Sequence, residues 1–191
     1  MKKTLSIYIF TYLLLTNLSF SQQNERKFNI HTIAFYNLEN LFDTINDINK
    51  DDEKSPIMEI KYNRGEIYKK KLANMAKVIS EIGTDSNKRP PSIIGICEIE
   101  NRGVVEDLIS HENLSNYNYS FVHYDSPDKR GIDVALIYNT DIFEVINSKS
   151  HELYITYNNT SERSYTRDQL VVSGKLDGEL LHLIVNHWPS R

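Results

Sequence analysis

The alternation of apolar and polar positions predicts a strand followed by a helix in the first part of the chain. The strand is an apolar run at residues 33–36, and the polar, acidic residues 43–56 after it predict a solvated loop. Apolar residues then recur at spacings of four and three from Tyr68 onward. This spacing is typical of one face of an amphipathic helix, and Gly83 is well placed to end it. Lys71 lies at the edge of this face, and the lysines around it are predicted to form a solvated helix surface.

A second strand and helix, followed by a run of strands, complete the predicted fold. Residues 92–97 form an apolar run that predicts a buried strand, and a short helix is expected at residues 104–109. Three further strands are predicted at residues 119–124, 133–138 and 143–146. Residues 170–176 and 179–186 flank Asp177-Gly178, a two-residue turn signal for a β-hairpin. This order predicts an α/β protein with a mixed sheet and helices on its outer face.

The N-terminus has the pattern of a secretory signal peptide, which we assign to residues 1–21. A pair of lysines precedes an apolar run over residues 5–15, and Ser19 and Ser21 occupy the −3 and −1 positions of a cleavage site. The alternatives are a buried N-terminal strand or a membrane anchor, but a membrane-spanning helix needs ~20 apolar residues. We therefore expect a secreted, periplasmic or surface protein of a bacterium, with no transmembrane segment in the mature chain.

The net charge and the cysteine content limit the classes of protein that fit this sequence. Removal of residues 1–21 takes away two lysines, which leaves 20 basic and 26 acidic residues and a net charge of −6. A nucleic-acid binder that relies on bulk electrostatics is basic, so a phosphate substrate must be met here by local cations or by a metal. Cys97 is the single cysteine, which excludes an intramolecular disulfide. Because it lies in an apolar run, we expect it to be a small buried hydrophobic residue.

Two predicted strands end in polar residues that suit a hard cation. The first is followed by Asn37 and Glu39, and the second by Glu98. Ligands of layered α/β proteins commonly bind beyond the carboxyl ends of strands, and Mg²⁺ is often held by one or two carboxylates together with substrate phosphates. His187, at the end of the last apolar strand, could donate to a phosphoryl oxygen or assist proton transfer. The spacing alone is explained more readily by exposed acids and a structural histidine.

Four segments together resemble the motifs of the endonuclease/exonuclease/phosphatase superfamily. They are, in chain order, Asn37-Leu38-Glu39-Asn40-Leu41-Phe42-Asp43, the apolar run from Ile93 to Glu98, residues 130–138 (RGIDVALIY) and residues 186–191 (NHWPSR). Their order agrees over nearly the whole mature chain, which makes the combination more specific than any one segment. The likeness is strongest to a group of secreted or surface bacterial members.

The resemblance implies a role for each matching residue. Glu98 would be the principal ligand of Mg²⁺, with Mn²⁺ or Ca²⁺ as alternative cations. Asn37 would orient the phosphate or the metal shell, and Glu39 matches a position that is acidic in only some members. His187 would contact the scissile phosphate or assist the leaving group. The candidate phosphate contacts are Arg167 and Arg191, although each is explained more readily as a surface or structural arginine.

The resemblance also implies the complete fold, a four-layer sandwich of two mixed β-sheets flanked by helices. Residues 22–191 would form this domain and hold its N-terminal half to two-thirds. The later motifs of the family carry an Asp-x-Asn pair and an Asp-His pair, and no counterpart follows His187. We therefore expect a domain that is truncated at its C-terminus and a chain that is inactive by itself.

The implied function is metal-dependent hydrolysis of a phosphoester. An endonuclease-like phosphodiesterase that acts on nucleic acid is the first expectation, and a phosphatase of the same superfamily is the alternative. A non-catalytic secreted binding module is the rival hypothesis, in which exposed aromatic residues such as Tyr154, Tyr157 and Trp188 contact a partner. The two hypotheses differ in whether Asn37 and Glu98 must lie close to His187.

Overall fold

The first sheet is a mixed, four-stranded sheet. The structure is a computed structural model that describes residues 28–157 and 159–188, so the predicted signal peptide and Arg191 lie outside the described residues. The strands are β1 (Ile33–Leu41), β2 (Ile93–Ile99), β3 (Tyr119–His123) and β4 (Asp133–Asn139), in the order β1-β2-β4-β3. β1 and β2 run parallel, whereas β4 is antiparallel to both β2 and β3. The predicted mixed sheet is thus confirmed.

The second sheet follows along the chain and is antiparallel in its described part. Its strands are β5 (Phe143–His151), β8 (Gln169–Leu176) and β9 (Glu179–Val185), in the order β5-β8-β9. Asp177 and Gly178 form the predicted turn between β8 and β9, with φ of 49° and 87°. Positive φ at both turn residues matches the right-handed twist of the strands they join. Two short strands, β6 (Ile155–Thr156) and β7 (Arg163–Ser164), form a separate ribbon.

Four helices are described. They are α1 (Pro56–Glu59), α2 (Arg64–Glu81), α3 (Thr84–Asn87) and α4 (Arg102–Ser110), and short 3₁₀ turns lie at Asp52–Lys54 and Ser115–Tyr117. The helix predicted from Tyr68 onward is α2, and Gly83 follows its end with φ of 75°. Asn101 is the N-cap of α4, and its side-chain Oδ1 accepts from the Val104 N–H at 3.1 Å. Residues 43–56 are more ordered than predicted, because one 3₁₀ turn and the start of α1 lie within them.

Two apolar clusters hold these layers together. The first lies between the first sheet and the long helices α2 and α4, and includes Leu72, Ile79 and Leu108. The second lies between the two sheets, where Cys97 and Leu136 of the first sheet pack with Phe143 of the second. Cys97 is 1% exposed, as its apolar neighbours predicted. The described residues therefore form a helix layer and two sheet layers of an α/β sandwich.

β1 is an edge strand, and one of its faces is partly open. Phe35 is 55% exposed although it packs across Gly95 of β2, where an added Cβ would lie 2.9 Å from the Phe35 ring. Glycine at this position therefore lets the ring approach the sheet. None of the helices in the described part of the chain is long and apolar enough to cross a membrane.

Candidate functional site

The carboxyl ends of β1 and β2 are distorted at the predicted polar residues. The parallel register runs to Asn37 opposite Cys97 and resumes at Leu41 opposite Ile99, so the residues between them form an irregularity. Three residues in this region have left-handed backbone: Glu39 (φ 51°), Asn40 (φ 58°) and Glu98 (φ 58°). Such a conformation costs about 1–3 kcal/mol per residue and persists where the surroundings enforce it, commonly at functional sites. The distortion turns side chains that would alternate across the sheet toward one place.

Glu98 is the centre of the resulting cluster. Its Oε1 accepts from the Asn37 Nδ2 at 2.9 Å, and its Oε2 accepts from the Asn40 N–H at 3.1 Å. The Asn37 Oδ1 in turn accepts from the Glu39 N–H at 2.7 Å, which fixes the orientation of the amide. Asn37 therefore holds the carboxylate in place rather than offering its oxygen to a ligand. Glu39 lies beside them, exposed, and among the described residues its carboxylate accepts no hydrogen bond.

His187 completes the cluster from the end of β9. Its Nε2 lies 3.3 Å from the Glu98 Oε1, and its Nδ1 is buried without a hydrogen-bond partner among the described residues. Desolvation, followed by the charge of Arg167, lowers the pKa of His187, while the Glu98 carboxylate acts in the opposite direction. The structure thus brings Asn37, Glu98 and His187 together, whereas their chemical roles stay predictions.

Lys71, which the helical pattern places at the edge of the apolar face, belongs to this region. Its Nζ donates to the backbone carbonyl oxygens of Glu39 and Asn40, the second at 2.9 Å. Desolvation lowers the pKa of Lys71, and the carboxylates of Glu39 and Glu98 partly oppose this shift. A helical pattern cannot reveal these contacts, because they depend on the left-handed backbone of β1, which turns two carbonyl groups toward α2.

The two arginines near the site have different environments. Arg167 is buried: its Nη1 donates to the Asp128 Oδ2 at 3.1 Å and its Nε donates to the His187 carbonyl oxygen at 3.2 Å. It therefore anchors the backbone of His187 as well as lining the site. Arg130 is bound by the same carboxylate, with its Nε 3.3 Å from the Asp128 Oδ1, yet 56% of its side chain is exposed. Arg130 is thus the better-placed phosphate contact, and the predicted Arg191 lies outside the described residues.

These groups surround one cavity. It has a volume of about 370 Å³ and is lined by Asn40, Glu98, Arg130, Ile132, Arg167, His187 and Trp188. A carboxylate, an imidazole and an exposed guanidinium thus face the same space. This combination can hold a cation, an anion such as phosphate, or both together.

A separate group of possible metal ligands lies near the start of β4. Within the described part of the chain, ligand atoms of His123, Asp125 and Asp133 all lie within 4.8 Å of one another. The Asp133 carboxylate is already engaged, because it accepts from the His123 ring at 2.9 Å and from the Ser126 N–H at 2.9 Å. Nearby, burial raises the pKa of Glu100 to about 8. The sequence did not single out this group.

The comparison with protein families identifies the chain. The profile described as the endonuclease/exonuclease/phosphatase family matches residues 32–191. The chain belongs to this family. The match covers all four segments on which the resemblance was based, and it begins just before β1. The comparison with curated proteins gave no match.

Solved structures of the endonuclease/exonuclease/phosphatase family are similar to this chain at low sequence identity. An endonuclease/exonuclease/phosphatase from Bacteroides vulgatus shares 15% identity over 79% of this chain and 49% of its own, with a TM-score of 0.47. A mannosyl-6-phosphatase from Bacteroides thetaiotaomicron shares 15% identity over 81% and 50%, with a TM-score of 0.45. The human Nocturnin catalytic domain shares 17% identity over 62% and 44%, with a TM-score of 0.42. The chain spans about half the length of these structures or less.

The aromatic residues of the rival binding hypothesis, Tyr154, Tyr157 and Trp188, are exposed, and two of them have described neighbours. Trp188 is 60% exposed and lines the cavity of Glu98 and His187. Tyr154 is 64% exposed and has the Arg163 guanidinium 5.4 Å from its ring centroid. Trp188 thus lines the candidate site, while Tyr154 lies beside β7.

Proposed function

We propose that the protein is a metal-dependent phosphoester hydrolase whose active centre is the cavity of Glu98, Arg130 and His187. The observation that carries the proposal is the cluster of Asn37, Glu98 and His187 at a strained end of two parallel strands, in which Glu98 and His187 line one cavity and Asn37 holds the Glu98 carboxylate. Family membership supports the same reaction class. A binding module that uses only exposed aromatic residues does not require this convergence.

The donor set fits a hard divalent cation. The Glu98 carboxylate faces the cavity with 19% of its side chain exposed, and its Oε2 retains a lone pair beyond the bond from the Asn40 N–H. Glu39 is exposed and does not line the cavity, so the proposal places the cation on Glu98 and the substrate phosphate. One or two carboxylates plus substrate phosphate is the usual way in which proteins hold Mg²⁺. Such a cation would neutralise charge that develops on the phosphoryl oxygens.

The protein residues around the cation have distinct tasks. Arg130 binds a phosphate oxygen through its exposed guanidinium, which Asp128 holds in place. His187 donates from Nε2 to a phosphoryl oxygen or to the leaving oxygen. Asn37 fixes the Glu98 carboxylate, and Arg167 fixes the His187 backbone. Positioned donors of this kind are effective because they need no reorganisation during the reaction.

Two substrate classes follow from the resemblance, a nucleic-acid phosphodiester and a small phosphomonoester. The negative net charge of the chain argues against a long polyanionic substrate, because non-specific nucleic-acid binding depends on a basic surface. The cavity supplies only local positive charge, from Arg130 and Arg167. We therefore place small phosphoesters first and endonuclease-like activity second.

The test compares Glu98→Gln with Glu106→Gln in the protein expressed from its complete gene. Glu106 is an exposed partner of Arg102 on α4, and such ion pairs contribute little. Hydrolysis of p-nitrophenyl phosphate and of bis-p-nitrophenyl phosphate should require Mg²⁺ and stop with EDTA. Glu98→Gln should lower kcat/KM by roughly 10²-fold or more, because it removes the charged ligand. Glu106→Gln should change it by less than about twofold.

Two results would overturn the proposal. One is a Glu98→Gln protein that keeps wild-type activity and whose metal affinity, measured by isothermal titration calorimetry, is unchanged. The other is the absence of hydrolysis of any phosphoester by wild-type protein that binds the metal.

A further inference from the structure

A cavity rich in carboxylates lies beside the segments that follow β1 and β2. It has a volume of about 240 Å³, and the charged residues that line it are Asp47, Lys50, Asp52, Glu100, Asp125 and Asp133. None of these six lines the cavity of Glu98 and His187. The five acids come from three stretches of the chain, after β1, after β2 and around the start of β4. The fold therefore gathers them at one place, although they do not form a run of acids in the sequence.

Three of these acids are buried, which makes their charge costly. Asp52, Asp133 and Glu100 are 1%, 2% and 7% exposed. Burial of a carboxylate is unfavourable unless a cation or several donors compensate it. Lys50 lies in the lining, but its Nζ donates to two backbone carbonyl oxygens of the loop before β4, at 2.8 and 3.2 Å. Its ammonium group therefore bridges two loops and makes no direct bond to a buried acid of the cavity.

Asp52 is the residue that indicates a ligand. Its Oδ2 accepts from the Asp47 N–H at 2.9 Å, whereas its Oδ1 is buried and has no hydrogen-bond partner among the described residues. The carboxyl group of Glu100 lies within hydrogen-bonding reach of that of Asp52. Two carboxylates at this separation repel each other unless a proton or a cation lies between them. Because Asp47 and Glu100, the neighbours of this carboxylate on either side, also line the cavity, a cation held there is next to the unpaired oxygen.

The acids around the start of β4 add further oxygen ligands. Ligand atoms of Asp125 and Asp133 lie within 4.8 Å of each other. One cation can span this separation, because Ca²⁺ binds its oxygens at about 2.3–2.6 Å. The Asp133 Oδ2 accepts from the His123 Nε2 at 2.9 Å, so the imidazole orients a carboxylate and leaves the ligands as oxygen atoms.

The chemistry of this donor set selects the cation. Ca²⁺ takes six to eight oxygen ligands in a flexible geometry and is commonly held by several carboxylates. Mg²⁺ demands a near-ideal octahedron and usually keeps several waters, while Zn²⁺ prefers nitrogen and sulfur ligands. Five carboxylates around one cavity therefore suit Ca²⁺ best.

We propose that this cavity is a Ca²⁺ site, separate from the catalytic cation of Glu98, with the five acids as its oxygen donors. The ion ties the segment after β1 to the loop before β4, which Lys50 already bridges. That loop also carries Arg130, so Ca²⁺ holds the phosphate-binding arginine in place as well as stabilising the fold. The Ca²⁺ site itself does not depend on the proposed hydrolase function.

The experiment measures Ca²⁺ binding by isothermal titration calorimetry in the protein from its complete gene. Glu98→Gln serves as the parent, because it removes the cation ligand of the active centre. Asp52→Asn and Asp125→Asn, each added to this parent, should lower the Ca²⁺ affinity by about tenfold or more, since each removes a charged ligand. Asp141→Asn, at an exposed carboxylate that accepts from the Asn118 amide, is the matched control and should leave the affinity unchanged.

Thermal melts distinguish a cation site from two acids that share a proton. In EDTA, Asp52→Asn should melt at the temperature of the parent or above it, because it removes repulsion between like charges. In Ca²⁺ the order should reverse, because an ion that binds only the folded state raises the melting temperature of the parent. Asp125→Asn changes an exposed carboxylate and tests the same site with the buried hydrogen bonds left in place.

Three results contradict the Ca²⁺ site. They are the absence of Ca²⁺ binding by the Glu98→Gln parent, an affinity that neither Asp52→Asn nor Asp125→Asn lowers, and equal stabilisation of the parent by Mg²⁺. Each of them leaves the proposed phosphoester hydrolysis intact. Conversely, a wild-type protein that hydrolyses no phosphoester, yet loses Ca²⁺ affinity with these two substitutions, keeps the Ca²⁺ site and refutes only the proposed function.

Discussion

At the scale of single residues, Glu98 shows how this site combines strain with support. Its backbone is left-handed, yet its carboxylate receives one amide donor and one backbone donor, with His187 nearby. The adjacent Cys97 points instead into the apolar layer between the sheets. One strand end therefore presents a charged group to the cavity and a thiol to the core.

Cys97 should be chemically inert in the folded protein. Burial, with a smaller contribution from the Glu98 charge, raises its pKa to about 12, and only the thiolate is the reactive form. At pH 8, reaction with a disulfide reagent such as DTNB should be at least roughly a hundredfold slower than for an unperturbed thiol. Addition of denaturant should restore the rate of free cysteine. Rapid labelling without denaturant, in protein whose circular dichroism is native, would contradict the buried placement.

At the scale of elements, β1 and α2 depend on each other. α2 carries an apolar face that packs on the first sheet, and from its edge Lys71 reaches the carbonyl oxygens of Glu39 and Asn40. The left-handed residues of β1 turn these carbonyl groups away from the ladder, and the ammonium group gives them a donor. The helix thus supports the strained strand end from which Asn37 orients Glu98.

The Lys71→Met variant tests this support. Met keeps most of the apolar stem of the side chain but donates no hydrogen bond, so the free energy of unfolding should fall by about 1–3 kcal/mol. Lys70→Met, on the exposed surface of the same helix, is the matched control and should change it by less than about 0.5 kcal/mol. Urea unfolding followed by circular dichroism measures both. Equal stability of the two variants would show that the β1 backbone does not need Lys71.

The contrast between α2 and β1 also shows what the sequence can predict. The period of apolar residues from Tyr68 and the Asp177-Gly178 turn depend on neighbours in the chain, and both predictions were confirmed. The places of Asn37, Glu98 and His187 at strand ends followed from the same pattern and from the resemblance. The contacts of Lys71 could not be predicted, because they involve residues far apart in the chain and a left-handed backbone in β1. Arg130 was visible within a motif, but its exposure beside the cavity of Glu98 was not.

At the scale of the whole molecule, one carboxylate connects the two sheets outside their apolar core. Asp128 lies in the loop before β4, and Arg167 lies just before β8 of the second sheet. Their side chains are 3% and 5% exposed and form an ion pair at 3.1 Å. Arg167 also donates to the His187 carbonyl oxygen, so the same arginine joins the two sheets and fixes the backbone that carries the imidazole.

The signal peptide and the export of the protein stay predictions.

Asp128→Asn should therefore destabilise the fold in a pH-dependent way. Although burial alone would raise the pKa of Asp128, hydrogen bonds and charge from Arg130, with a bond from Arg167, hold it below its usual value. A carboxyl whose pKa is depressed in the folded state adds stability above its unfolded pKa of about 3.9, and this stability is lost as the pH falls through the folded pKa. At pH 7 the variant should be less stable by about 3–5 kcal/mol, because Arg167 stays buried without its counter-charge.

Asp141→Asn, at an exposed carboxylate that accepts from the Asn118 amide, is the control and should lower the free energy of unfolding by less than about 1 kcal/mol. Urea unfolding from pH 7 down to pH 3 should show the gap between wild type and Asp128→Asn closing only below about pH 4. A gap that is constant over this range would mean that the Asp128 charge contributes nothing to joining the sheets.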